Sequence, residues 1–191
     1  MAKISDTIKS DHRAIEESYD KIVNSSDYEE QVRYQNQFTW ELARHSIGEE
    51  LVVYPAFEEH IENGKAMADK DRQEHQVVKE QLKIFQNMKP SDPDFQSTIK
   101  NLMGNLSQHI REEEGEDLVK LENALAHNKS EALATSFDRT KAFVPSRSHP
   151  SAPDKPPFET AIGLLAAPID HLADLFRKFP DKKISPNPST K

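Results

Sequence analysis

His45 and Glu49 stand four residues apart in HSIGEELVVYP, and His109 and Glu113 repeat that spacing in HIREEE. On an α-helix a step of four brings a side chain back to nearly the same face one turn on, so each pair aims an imidazole and a carboxylate the same way. Two more histidines, His12 in DHRAIEE and His75 in EHQVVKE, stand without such a partner. Imidazole nitrogen and carboxylate oxygen together form a ligand set for a first-row transition metal. The chain has no cysteine, which removes disulfides and thiolate sites. A single zinc takes about four ligands. Six donors, two of them carboxylates able to bridge, suit two ions better, and the mixture suits iron, with manganese or zinc as alternatives. The reading without a metal is a buried His–Glu hydrogen-bond network, but carboxylates in a core layer call for a cation.

These residues act together only if the chain gathers them. Apolar residues at helical spacing predict four helices, near 4–23, 27–61, 65–88 and 94–126, separated by the turn-like NSSD, ENG and KPSDP. Short connections between long amphipathic helices predict an all-α fold, an up-down antiparallel four-helix bundle. Each apolar stripe has a polar gap. His12 falls between Ile8 and Ile15, and His45 and Glu49 between Leu42 and Val52. Asp71 and His75 fall between Met67 and Val78, and His109 and Glu113 between Leu106 and Leu121. On antiparallel helices, two residues share a height when their midpoint lies in the connecting turn. The midpoints of 12 and 45, 49 and 75, and 75 and 109 are 28.5, 62 and 92, each at a turn. One layer of the bundle therefore collects the four histidines with Glu49 and Glu113.

The neighbours receive plainer readings. Asp71 is an acid near a helix N-terminus, favoured by the dipole. Glu50 and Glu114 lie about 100° round the helix from the inward positions and are expected in solvent. Tyr54 either packs or bonds a group behind the ligands. Pro55 bends the second helix. His60, His127, His149 and His171 fall off the layer, as surface residues.

The set DHRAIEE, HSIGEELVVYP, EHQVVKE and HIREEE, in the order H…HxxxE…H…HxxxE, resembles the hemerythrin-like HHE cation-binding family over residues 1–127. The resemblance implies a four-helix bundle holding two non-haem iron ions. It makes His12, His45, His75 and His109 terminal ligands and Glu49 and Glu113 bridges. Oxygen-carrying hemerythrins have a second histidine one turn after the third-helix histidine. Here that position is Lys79, which leaves one iron a ligand short unless Asp71 or a water fills the gap.

The remaining chain divides by composition. Residues 128–157 read as a short helix, near 130–139, and a proline-rich linker containing PSRSHPSAPDKPP. Residues 158–180 form a C-terminal amphipathic helix, divided or kinked at Pro168 and docked on the bundle, and 181–191 a disordered tail. A net charge of −8 without a basic patch argues against nucleic acid. The longest apolar run, IGLLAAPI, is too short to insert stably in a membrane, and MAKISDTIKS lacks the apolar core of a signal peptide, so a cytoplasmic protein is expected. The expected function is binding O2, nitric oxide or peroxide, or iron and oxygen sensing or storage. The alternative is a di-iron oxidase, peroxidase or oxygenase; a metal that only stabilises the bundle ranks last.

Overall fold

The computed structural model describes residues 2–151 and 158–180, and among these there is helix, turn and bend but no strand. Helix α1 spans Ile4–Asn24 and α2 spans Tyr28–Gly48. A π-turn at Glu49–Val53 joins α2 to α3, Tyr54–His60. Helix α4 is Gly64–Phe85 and α5 is Phe95–Glu112. A second π-turn, Glu113–Asp117, joins α5 to α6, Leu118–Ala124. The four expected rods are therefore α1, α2 with α3, α4, and α5 with α6.

Local chemistry sets the ends. Asp27 caps α2, its carboxylate accepting from the Glu30 N–H at 2.8 Å. At ENG, Asn63 takes a left-handed φ of 60°. Gly64 follows, where a Cβ would stand 1.8 Å from the Phe57 carbonyl oxygen. Only glycine lets α4 start that close to α3.

Two apolar clusters fill the bundle. One gathers Ile15, Ile22, Phe38, Leu42, Val78, Leu82, Phe85, Leu102 and Leu106. The other gathers Ile4, Ile8, Val53, Tyr54, Phe57, Ala68, Leu118 and Leu121. His12 lies between Ile8 of the second and Ile15 of the first, and the other gap residues divide the clusters in the same way. The polar layer is thus closed by apolar side chains above and below.

Beyond the bundle, α7 covers His127–Lys141, longer than expected, and lies against α1, α2 and the first π-turn. Its Ala134 and Phe137 join the second cluster, and Ser130 Oγ accepts from the Ile4 N–H at 3.0 Å. Helix α8, Phe158–Asp174, is not divided at Pro168. Proline removes one N–H donor there but leaves the rest of the ladder.

The docking of α8 also reverses the usual sense of an amphipathic helix. Asp170 and Asp174 are buried, while Ile169, Leu172, Leu175 and Phe176 are exposed. The aspartates face inward because they find partners there: His149 Nε2 at 2.9 Å from Asp170, and Ser146 Oγ at 2.5 Å from Asp174. Nor is the described part of the linker free. Arg147 donates to the Gln86 carbonyl, and Ser148 donates to the Lys79 carbonyl at 2.6 Å. The rest of the linker, 152–157, and the tail from 181 lie outside the described residues. No described helix is long and apolar enough to cross a membrane.

Candidate metal centre

The four histidines meet Glu49 and Glu113. His12 Nε2 lies 3.1 Å from His45 Nε2, and His75 Nε2 lies 3.2 Å from His109 Nε2. Glu49 stands between the pairs, with Oε1 3.2 Å from His45 Nε2 and Oε2 3.3 Å from His75 Nε2. Glu113 Oε2 is 3.3 Å from His12 Nε2. All six are buried. Glu49 belongs to both compact ligand groups, one with His12 and His45 and one with His75 and His109.

The outer ring nitrogens decide what the inner ones do. Each histidine turns Nδ1 to an acid: His12 to Glu114 at 2.8 Å, His45 to Asp11 at 3.4 Å, His75 to Glu50 at 3.4 Å and His109 to Glu74 at 2.8 Å. At His12, His45 and His109, where this contact is a hydrogen bond, the carboxylate favours the proton on Nδ1 and leaves Nε2 its lone pair; His75 Nδ1 also has the Tyr54 hydroxyl at 3.3 Å. Each acid in turn faces a cation: Arg13 at Glu114, Lys141 at Asp11 (2.6 Å), Lys79 at Glu50 (2.6 Å) and Lys70 at Glu74 (3.3 Å). Two imidazole Nε2 atoms face one another at each end of Glu49. Nearby, no oxygen of Glu49 or Glu113 has a hydrogen bond, despite the 3.2–3.3 Å ring contacts. Lone pairs and bare carboxylates meeting in a dry layer repel unless a positive charge lies between them.

Without that charge, protons must stand in. Burial, with Glu113 close by, pushes the Glu49 carboxyl up to about 8. Burial acts to raise Glu113 too, but the His12 imidazole holds it well below the carboxylate range. Burial acts to lower His12, but Glu113 and Glu114 raise it on balance.

Both bridging candidates open a π-turn. The Tyr54 N–H bonds the Glu49 carbonyl, and the Leu118 N–H bonds the Glu113 carbonyl, each five residues on. Such turns recur at functional sites, where they re-aim side chains.

The chain matches the model of the hemerythrin HHE cation binding domain over residues 3–121. It belongs to that family. An uncharacterized hemerythrin-like protein of Schizosaccharomyces pombe is 54% identical over 181 residues, 94% of this chain and 89% of that one. A crystal structure of a hemerythrin HHE cation binding domain-containing protein from Mycobacterium kansasii superimposes with a TM-score of 0.61 at 20% identity, covering 74% of this chain and 89% of that one. A DNA nickase of Nostoc is 26% identical over 144 residues, 75% of this chain but only 40% of that protein.

In this hemerythrin-like chain two acids depart from the sequence reading. Glu50 is fully buried rather than solvated. A π-turn takes more than 3.6 residues, so successive side chains turn through less than about 100° and both Glu49 and Glu50 face inward. Glu114 is part-buried against His12 and Arg13. Asp71 is also more than a helix-end acid. It is buried, one of its oxygens has no hydrogen bond, and burial pushes its carboxyl up to about 7. It forms a third compact group with Glu74 and His109. Tyr54 is buried with its hydroxyl 2.9 Å from His75 Nε2, the inner nitrogen. Pro55 follows the first π-turn directly, at the second residue of α3. His60, His149 and His171 do lie off the layer, but part-buried; His149 and His171 bond Asp170 and the Val144 carbonyl. The side chain of His127 is outside the described residues.

Lys79 provides a direct test of this outer ring. Replacing it with methionine keeps the stem but takes the ammonium away from the buried Glu50 carboxylate. Breaking a buried pair in this way costs about 3–5 kcal/mol. Urea unfolding of Lys79→Met should show a loss in that range. A change under about 1 kcal/mol, the size expected of a surface pair, would mean the pair is not what holds Glu50.

Proposed function

We propose that this protein holds two non-haem iron ions between its four histidines, Glu49 and Glu113, and uses them to bind O2, nitric oxide or peroxide, in oxygen or iron sensing or storage. The observation that carries this reading is Glu49, whose two oxygens face two separate pairs of inward imidazole nitrogens. Nitrogen with carboxylate suits iron, with manganese or zinc as substitutes. Two adjacent irons supply two electrons at one place, the number that separates dioxygen from peroxide. The chain's own residues fix the arrangement. The outer acids set each imidazole's tautomer, and the two apolar clusters keep water from the layer.

One observation favours the enzymatic alternative, a di-iron oxidase, peroxidase or oxygenase. Lys79 is committed to Glu50, so its position gives no ligand beside His75. Asp71 and Tyr54 are the side chains placed to compensate. A position left open lets O2 or peroxide react rather than rest. We place no nucleic acid among the partners: the net charge of −8 repels phosphate, and the chain spans less than half of the Nostoc nickase.

Optical spectra through cycles of O2 and vacuum on Fe(II)-loaded protein separate the two. The binding reading predicts the same spectral change, reversed in each cycle. A single irreversible oxidation, or steady consumption of peroxide, would replace it with the enzymatic one.

A further inference from the structure

Apolar side chains at the C-terminal end of α8 and in the turn after it face away from the protein. Ile169 is 72% exposed, Leu172 61%, Leu175 57% and Phe176 84%. Phe143, 70% exposed, continues the patch across a hollow of about 290 Å³ that it lines with Ala142, Ala167, Pro168 and His171. The helix cannot roll to hide this side without stripping Asp170 of His149 and Asp174 of Ser146. The orientation is therefore fixed by buried polar contacts, and the exposed side calls for a partner from outside.

Three observations select that partner. In sequence the apolar residues Phe158, Ile162, Leu165, Ile169 and Leu172 alternate steps of four and three along α8, and Leu175 and Phe176 follow in the turn that ends it. That is the 3.5-residue repeat of a seam between two helices. The exposed parts of the five described residues amount to on the order of 600 Å² per chain. Two such patches would remove on the order of 1,200 Å² together, enough for a specific interface. Thirdly, the cations beside the patch are already engaged, Arg177 with Asp174 and Lys178 with Glu29, so they form no free basic rim for an anionic membrane. The tail beyond 180, DKKISPNPSTK, has one large apolar residue, Ile184, and cannot match a ridge of this size.

We propose that the outward face of α8 pairs with the same face of a second copy of this chain across a two-fold axis. Ridge lies on ridge, and an aromatic side chain of each copy, Phe176 or Phe143, enters the hollow beside the other's Pro168. A two-fold contact uses one patch twice, so it closes at two copies.

Sedimentation equilibrium of the full chain tests this. The wild type is expected at twice the chain mass at micromolar concentration. Leu172→Glu with Phe176→Glu is expected to weaken the dimer at least a hundredfold, and Phe143→Asp, from the other wall of the hollow, at least tenfold. Helical circular dichroism and iron content should stay as in the wild type, because these side chains are exposed and far in sequence from the ligand set. A monomeric wild type would overturn the proposal, and a monomer that binds phosphatidylserine vesicles would assign the ridge to lipid instead. A dimer that survives both sets of substitutions would overturn it as well.

Discussion

Glu49→Gln is expected to lose bound metal from both positions, falling from about two ions per chain to fewer than one. Glu49 is the one residue common to both histidine groups, so neither position keeps a full ligand set without it. Glutamine preserves the volume and removes the charge. The metal-free proteins should show the opposite order. In the wild type Glu49 is a carboxyl with no hydrogen bond, pushed up by burial and by Glu113. A neutral amide needs no proton taken up there, so metal-free Glu49→Gln should be at least as stable as metal-free wild type. Adding Fe(II) should then raise the melting temperature of the wild type and leave the variant nearly unchanged. A hydrogen-bonded network without metal predicts the reverse, a variant less stable under all conditions. Calorimetry with and without Fe(II) separates the two.

Removing α7 should have a comparably large effect. A chain ending at residue 126 contains the whole matched family region yet loses what α7 supplies. Phe137 is fully buried, stands edge-on to His45 with ring centroids 6.0 Å apart, and lies so close to α2 that a Cβ on Gly48 would come within 2.8 Å of its ring. Losing a buried phenylalanine alone costs about 3–5 kcal/mol. Lys141 goes too. Burial acts to raise Asp11, but His45 and Lys141 hold its carboxyl down at about 2, as a carboxylate that fixes the His45 tautomer. Outer partners of this kind are worth roughly 10–100-fold in metal affinity. A chain ending at 126 should therefore melt far lower and bind iron at least tenfold more weakly, while one ending at 144 keeps wild-type stoichiometry. Equal iron affinity in the two would show that α7 does not support the site.

The inward layer was readable in sequence because histidine and glutamate replace apolar residues in step. His12 between Ile8 and Ile15 keeps the helical stride, so one rule finds core and site together. The outer acids were missed, although a pattern marks them. Asp11 and Glu74 precede His12 and His75, and Glu50 and Glu114 follow Glu49 and Glu113. Asp11 and Glu74 serve the histidine of the next rod, His45 and His109, so their purpose shows only when the helices are paired. Glu50 escaped because a regular 100° stride is wrong inside a π-turn. The α8 stripe reads as amphipathic in sequence, but periodicity reports two faces and not which one is buried. Asp170 and Asp174 decided that through His149 and Ser146, residues about twenty to thirty positions earlier.

The most direct test of the account is metal counting after anaerobic reconstitution with Fe(II), gel filtration to remove loose ions, and elemental analysis. Two irons per chain are expected in the wild type and a loss of both in Glu49→Gln. No retained iron, or a single ion that persists when Glu49 is replaced, would contradict it.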